Sequence, residues 1–233
     1  MANFQEFDVI IIGGGQGGAL ARMLCEGGKR VALVEKEALG GACVNHGCTP
    51  TKAHIAAAKR AHDARTAREM GVFTGEVRVD LSAVVDRSNK LVNQFVEEIK
   101  ETLSSFSNLT LLYGTAKFQG QHEIEVALHD GSKSHLRAPQ IVIATGMRPE
   151  VPQIDGLEQI DWLSNSSLLQ LMELPEKLLV LGGGYIACEF AQMFRRFGSE
   201  VVIAQSGSQL LKREDEDVSN AIAAFLREEN IEV

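Results

Sequence analysis

Cys43 and Cys48 stand five positions apart in the run Gly40-Gly41-Ala42-Cys43-Val44-Asn45-His46-Gly47-Cys48-Thr49-Pro50-Thr51-Lys52. Two cysteines at that spacing can close a short disulfide loop, and Pro50 is suited to start a helix that the second of them enters. Helix N-terminal amides and a nearby cation favour the thiolate, the reactive form of a cysteine, and Cys48 gains more from both than Cys43. Three plainer readings compete with a redox pair: a structural disulfide, a zinc site, or unpaired buried thiols. Low cysteine usage weighs against the first, the want of two further ligands at suitable spacing against the second, and the glycine frame against the third. Cys25 and Cys188 fall in apolar helical segments and read as small core residues. His46, between the paired cysteines, either tunes Cys43 or faces solvent from its loop, and no histidine stands out as a base.

Two glycine turns are the other chemical feature. Residues 7–12 form a buried-type strand that runs into Gly13-Gly14-Gly15-Gln16-Gly17-Gly18, then a helix, then Val31-Ala32-Leu33-Val34 ending in Glu35. Gly13, Gly15 and Gly18 fit G-x-G-x-x-G, with the first for a tight turn, the second for approach to a pyrophosphate and the third for helix–strand packing. The phosphate would rest on helix N-terminal amides, and Glu35 can accept from ribose hydroxyls. A second copy begins at strand 178–181, with Gly182, Gly184 and Ala187 giving G-x-G-x-x-A. Its second strand ends in Ala204-Gln205-Ser206, without the acid that favours NAD or an Arg for a 2′-phosphate. Lys212 and Arg213 lie close enough to supply charge, or belong to a solvated loop, so NADH and NADPH both stay open.

The elements that must carry these residues can be read from periodicity. An Ala/Lys/Arg-rich segment from about 50 to 70 has strong helix propensity and ends at Gly71. From 80 to 106 the apolar residues Leu81, Val84, Val85, Leu91, Val92, Phe95, Ile99, Leu103 and Phe106 recur at helical spacing, predicting one long amphipathic helix with its stripe on the first domain. Residues 109–137 predict an antiparallel meander with a turn at Asp130-Gly131, and Ile141-Val142-Ile143 another buried strand. Pro149, Pro152 and Gly156 mark a boundary, dividing the chain into 1–149 and 150–233. A charged helix, roughly 214–229, precedes the start of another strand at Ile231-Glu232-Val233. The fold class is α/β, with two Rossmann-like dinucleotide-binding domains, the first carrying the meander and the second incomplete.

Composition narrows the function classes. With 45% apolar and 23% charged residues the chain has the means to build a core. A net charge of −8 argues against nucleic acid, since Lys29-Arg30, Lys59-Arg60 and Lys212-Arg213 are isolated pairs. No stretch approaches the roughly 18 apolar residues that span a bilayer. The N-terminus lacks a basic region and a cleavage site, so the expected location is the cytoplasm, away from membranes.

The cysteine run, the fingerprint before it, Ala144-Thr145-Gly146-Met147-Arg148-Pro149 after it and the second fingerprint together resemble the pyridine nucleotide-disulfide oxidoreductases. That family includes dihydrolipoamide dehydrogenase, glutathione reductase and mercuric reductase. The resemblance runs over essentially the whole chain and implies a relay from NADH or NADPH through FAD to the disulfide and on to substrate. It makes Cys43 the interchange thiol facing substrate and Cys48 the thiolate facing the flavin. Lys52, one turn later, would sit by the flavin, paired with Glu189 as a buried ammonium requires. The resemblance places Gly13, Gly15, Gly18, Glu35, Lys36, Gly41, Ala42, Thr145 and Gly146 against FAD. It places Gly182, Gly184, Tyr185 and Ala187 against the nicotinamide nucleotide, with Tyr185 covering the nicotinamide pocket unless it is an ordinary helix-start aromatic. No resident metal is implied.

Family members are about twice this long. The late Gly-Asp motif, the interface domain and the C-terminal His-Glu pair of the family are not in these residues, so the expectation is the front half of a homodimeric enzyme, without turnover by itself. A naturally short, non-catalytic nucleotide-binding or thiol-metal-binding protein is the alternative. Substrates stay open among small thiols and disulfides, quinones and Hg(II), with Thr49-Pro50-Thr51-Lys52 leaning towards the mercuric reductase-like branch.

Overall fold

Val9-Ile10-Ile11-Ile12 and Val31-Ala32-Leu33-Val34 are rich in β-branched residues and lack polar alternation, the pattern of strands covered on both faces. In the computed structural model, which describes residues 4–233, they are parallel neighbours, β2 (Val9–Ile12) and β3 (Val31–Glu35), joined by α1 (Gln16–Glu26). Successive side chains alternate between two cores, as the strand period requires. Ile10, Ala32 and Val34 face Ile124, Val126 and Leu136, while Val9, Ile11, Val31 and Leu33 pack with Ala21, Cys25 and Leu103.

The chain divides into two compact units: residues up to Pro50 together with Lys90–Asp161, and Thr51–Asn89 together with Trp162–Val233. Contacts thus group residues 51–89 with the second strand–helix–strand unit, whereas a division at 149/150 follows the cofactor motifs.

The first unit is built on a seven-stranded sheet in the order β1-β6-β5-β4-β3-β2-β7, with β1 Phe4–Glu6, β4 Leu109–Gly120, β5 Glu123–Leu128, β6 Lys133–Arg137 and β7 Gln140–Ile143. Strand β4 pairs parallel with β3 over Leu109–Tyr113 and turns antiparallel to β5 from Gly114. Gly114 permits the change, because a Cβ there would collide with the Ala127 backbone. The meander appears as predicted, with β5 and β6 joined through Asp130-Gly131. Strand β1 was not anticipated from the polar N-terminus; it adds to the sheet by pairing parallel with β6.

The first two boundaries between the units' segments fall within helices, α3 (Cys48–Thr66), which follows the short α2 (Gly41–His46), and α4 (Leu81–Ser104). A 3₁₀ turn over Ala67–Met70 and a left-handed Gly71 close the helical stretch that begins with α3. The predicted stripe of α4 is divided rather than laid on one domain: Leu81 and Val84 join the second unit's core, Ile99 and Leu103 the first unit's.

The second unit pairs β8 (Lys177–Leu181) parallel with β9 (Glu200–Ala204), joined by α6 (Tyr185–Phe197), after the single-turn α5 (Asn165–Leu168). Phe190, Phe194 and Phe197 on one stripe of α6 pack with Val201, Ile203 and Leu226, the last from α7 (Glu216–Glu228). Val202 bridges Glu232 in parallel, so the chain's last residues do begin a further pairing.

Candidate redox site and nucleotide cradles

Cys43 lies in α2 and Cys48 opens α3, and the two are joined as a disulfide with Cα atoms 4.8 Å apart. Both residues are exposed. The reversal between the helices needs glycine: Gly40 is left-handed at φ 90, and a Cβ on Gly47 would press on the Ala42 carbonyl at 3.0 Å. Asn45, which the sequence reading passed over, fastens the loop by donating to Leu39 O and Gly41 O, both at 2.9 Å. Its signal was available: an amide side chain inside a glycine-framed single-turn helix has few other roles. Pro50 sits within the first turn of α3, where no backbone donor is needed. His46 ends α2 and is exposed.

The loop is tied to the first glycine turn. Gly40 N donates to Gly14 O at 3.0 Å, and a Cβ on Gly41 would stand 2.7 Å from Gly15 Cα. Gly13, at φ 109, lies against the Ala144 carbonyl and Thr145 N, so the segment Ala144-Thr145-Gly146 closes over the same turn. The close helix–strand contact falls on Gly17, whose Cβ would stand 2.7 Å from Ile11 Cγ2; Gly18 instead faces Leu103 at 3.8 Å. Which glycine meets the strand depends on the angle of α1, which the spacing does not specify. Helix α1 has Gly15 as N-cap with no side-chain cap, leaving its first amides to other acceptors. Glu35 is buried, accepting from Gly14 N at 2.5 Å and Glu37 N at 2.7 Å. Lys36 and Ala42 are exposed beside these residues.

The second turn repeats the arrangement. Gly182 is left-handed at φ 97, Gly184 is the N-cap of α6 with no side-chain cap, and a Cβ on either would meet nothing within 4 Å. Gly183 N donates to Gln205 Oε1 at 2.8 Å, as Gly14 N does to Glu35. Tyr185, 70% exposed, opens α6, and Ala187 lies half-buried in its first turn. Glycine turns before uncapped helices, each followed by a side chain at the next strand's end, fit the phosphates and ribose of a dinucleotide.

Lys52 Nζ meets Glu189 Oε1 at 2.5 Å, so α3 and α6 do bring these side chains together. The pair is not buried: the side chains are 59% and 36% exposed. Cys25 lies in the first unit's core and Cys188 packs partly against the second's; burial raises both thiols above the ordinary range. Among the described residues no group of three or more His, Cys, Asp and Glu could hold a metal ion, and no helix is long and apolar enough to cross a membrane.

The sequence pattern of the family described as "Pyridine nucleotide-disulphide oxidoreductase" matches residues 7–233. The chain is 40% identical over 229 residues to a mercuric reductase of Streptomyces lividans, covering 97% of this chain and 48% of that protein. It is 33% identical to a dihydrolipoyl dehydrogenase of Acholeplasma laidlawii, covering 98% of this chain and 68% of that one. Among solved structures it is similar to the Cu(II) complex of the HOCl-induced flavoprotein disulfide reductase RclA from Escherichia coli, with a TM-score of 0.84, 33% identity, and coverage of 98% of this chain and 49% of the other. The chain therefore spans about half the length of the mercuric reductase and RclA chains it matches.

Proposed function

The chain belongs to the pyridine nucleotide-disulphide oxidoreductase family, whose members use FAD and NAD(P)H, and from that premise we propose that it carries electrons from NADH or NADPH through FAD to the Cys43–Cys48 disulfide and on to a small substrate. The observation that carries this reading is the disulfide itself, set at the start of α3 in a glycine loop tied to the first glycine turn. Residues 1–149 are assigned to the FAD domain and 150–233 to the pyridine nucleotide domain. The activity is proposed for a cytoplasmic homodimer of the relatives' full length; these residues, about half of it, are expected to hold the reducible disulfide without turnover.

Bound FAD would supply the two-electron connection between the pyridine nucleotide and the disulfide. Gly13, Gly15 and Gly41 would hold its pyrophosphate by close backbone approach, the α1 amides would face the phosphate charge, and Glu35, with Lys36 beside it, would accept from the ribose. Ala42, Thr145 and Gly146 would line the same cradle. Gly182, Gly184 and Ala187 would do this for the nicotinamide nucleotide, with Tyr185 over the nicotinamide. Lys52, held by Glu189, would place a positive charge one turn from Cys48.

Once reduced, the pair acts by thiol–disulfide exchange. The Cys43 thiolate attacks one sulfur of a substrate disulfide and expels the other as a thiolate. The Cys48 thiolate then attacks Cys43, re-forming their bond and releasing the second substrate thiol, with the two protons of the dithiol leaving on the products. Cys48 suits the inner position because a thiolate at a helix N-terminus is stabilised by unpaired amides. The identity to a mercuric reductase and the Thr49-Pro50-Thr51-Lys52 stretch favour Hg(II) as terminal acceptor, gaining two electrons while the dithiol returns to the disulfide. Thiol or disulfide compounds and quinones are the other acceptors of suitable chemistry.

Anaerobic titration of the purified protein, reconstituted with FAD, tests the reading. NADPH or NADH should yield two new titratable thiols and a long-wavelength thiolate-to-flavin band, both lost in Cys48→Ser. Flavin reduction without new thiols would overturn it, and failure to retain flavin would confine it to a protein of the relatives' full length.

A further inference from the structure

The two glycine turns differ at one equivalent position. In the first, Gly14 N donates to a carboxylate, Glu35 Oε2; in the second, Gly183 N donates to an amide, Gln205 Oε1 at 2.8 Å. Glu35 is the last residue of β3 and Gln205 the first beyond β9, so each acceptor stands at the end of the strand that follows the turn's helix, where a ribose would meet it. An ionised carboxylate only accepts hydrogen bonds and repels a phosphate, whereas an amide can both accept and donate and carries no charge.

Gln205 is held in place. Its Nε2 donates to Gln209 O at 3.4 Å, leaving a second N–H, and Leu210 packs against Gly183. Leu211, left-handed at φ 49, donates its N–H to Gly183 O at 2.7 Å. The segment after β9 is therefore tethered to the glycine turn at both ends, and the next two residues are the exposed cations Lys212 and Arg213. That tether separates them from an ordinary solvated loop: they follow directly on a residue whose backbone is hydrogen-bonded to Gly183, within reach of the cradle whose acid is missing.

We propose that Gln205 is the specificity-determining residue of the second cradle and that, with Lys212 and Arg213, it makes the cradle prefer the 2′-phosphorylated nucleotide, NADPH, over NADH. This rests on the assignment of that cradle to the pyridine nucleotide. The amide donates to the 2′-phosphate where a glutamate would repel it, and the two cations attract it from the tethered loop.

Isothermal titration of the full chain with NADP⁺ and NAD⁺, which involves no turnover, provides the test. NADP⁺ should bind more tightly, with the advantage shrinking as salt is raised. Gln205→Glu keeps the acceptor for Gly183 N and should move the NADP⁺/NAD⁺ affinity ratio towards NAD⁺ by about tenfold or more, the scale of a like-charge contact. The double change Lys212→Ala/Arg213→Ala should weaken NADP⁺ and leave NAD⁺ unaltered. Binding of both nucleotides with tighter NAD⁺, or a ratio unmoved by Gln205→Glu in a variant with native circular dichroism, would overturn the preference alone. Binding of neither would overturn the cradle's assignment and the preference with it.

Discussion

Gly15 and Gly41 meet backbone to backbone, a Cβ on Gly41 falling 2.7 Å from Gly15 Cα. This contact fixes the disulfide loop to the turn that opens α1, so the redox loop and the first cradle are one structural unit. Gly41 is also left-handed, at φ 59, and carries both constraints at once.

Gly41→Ala should therefore cost about 1–3 kcal/mol, from a strained backbone and a collision that only movement of the loop can relieve. Urea unfolding measures it. Gly28→Ala, left-handed but with nothing within 4 Å, isolates the backbone part and should cost less.

The four thiols should separate into two classes when the protein is reduced without denaturant. Cys43 and Cys48 are exposed, while burial holds Cys25 and Cys188 in the protonated form. Iodoacetamide near neutral pH should label the first pair rapidly and the second slowly. In the single variants, Cys48 of Cys43→Ser should react faster than Cys43 of Cys48→Ser, because only Cys48 opens a long helix. Equal rates would remove the asymmetry assigned to the pair.

Glu229 couples stability to pH. Burial pushes its carboxyl up, but the hydrogen bonds from Arg196 at 2.6 and 2.8 Å, the charges of Arg196 and nearby His62 and a hydrogen bond from Gln192 at 2.7 Å together outweigh this and hold it below the ordinary range. Because the folded value is depressed, the stabilisation is complete above the unfolded glutamate value of about 4.3 and is lost as pH falls through the folded one. Glu229→Gln should lower stability at neutral pH by about 1.5–3 kcal/mol, the scale of charge-assisted hydrogen bonds. The gap to the parent chain should narrow below about pH 4, measured by denaturant midpoints across pH.

Lys52→Met should behave differently. The exposed pair with Glu189 is expected to contribute about 0–1 kcal/mol, so the unfolding midpoint should barely move. Under the proposed role, the same variant should slow reduction of the disulfide by NADPH in stopped-flow measurements. A large loss of stability with an unchanged rate would make the pair structural.

Much of the fold was legible because its signals are local. Strand, glycine turn and helix are written within a few residues of one another at both Gly13 and Gly182, and the period of α4 identified it as one long helix. The meander's turn at Asp130-Gly131 needed no distant information either. The N-terminal strand Phe4–Glu6 was not legible, since its place depends on β6, far along the chain.

The sequence by itself determined the units that short-range chemistry dictates: two parallel strand pairs around glycine turns, and two cysteines close enough in the chain to be bridged. Only the tertiary structure decided what those units face. It gave Gly17 the contact with Ile11, divided the stripe of α4 between two cores, left the Lys52–Glu189 pair in solvent and set Gln205 where the first cradle has Glu35. Each of these depends on residues distant in sequence, and a pattern of neighbours carries no record of which distant atoms will come within a few ångströms.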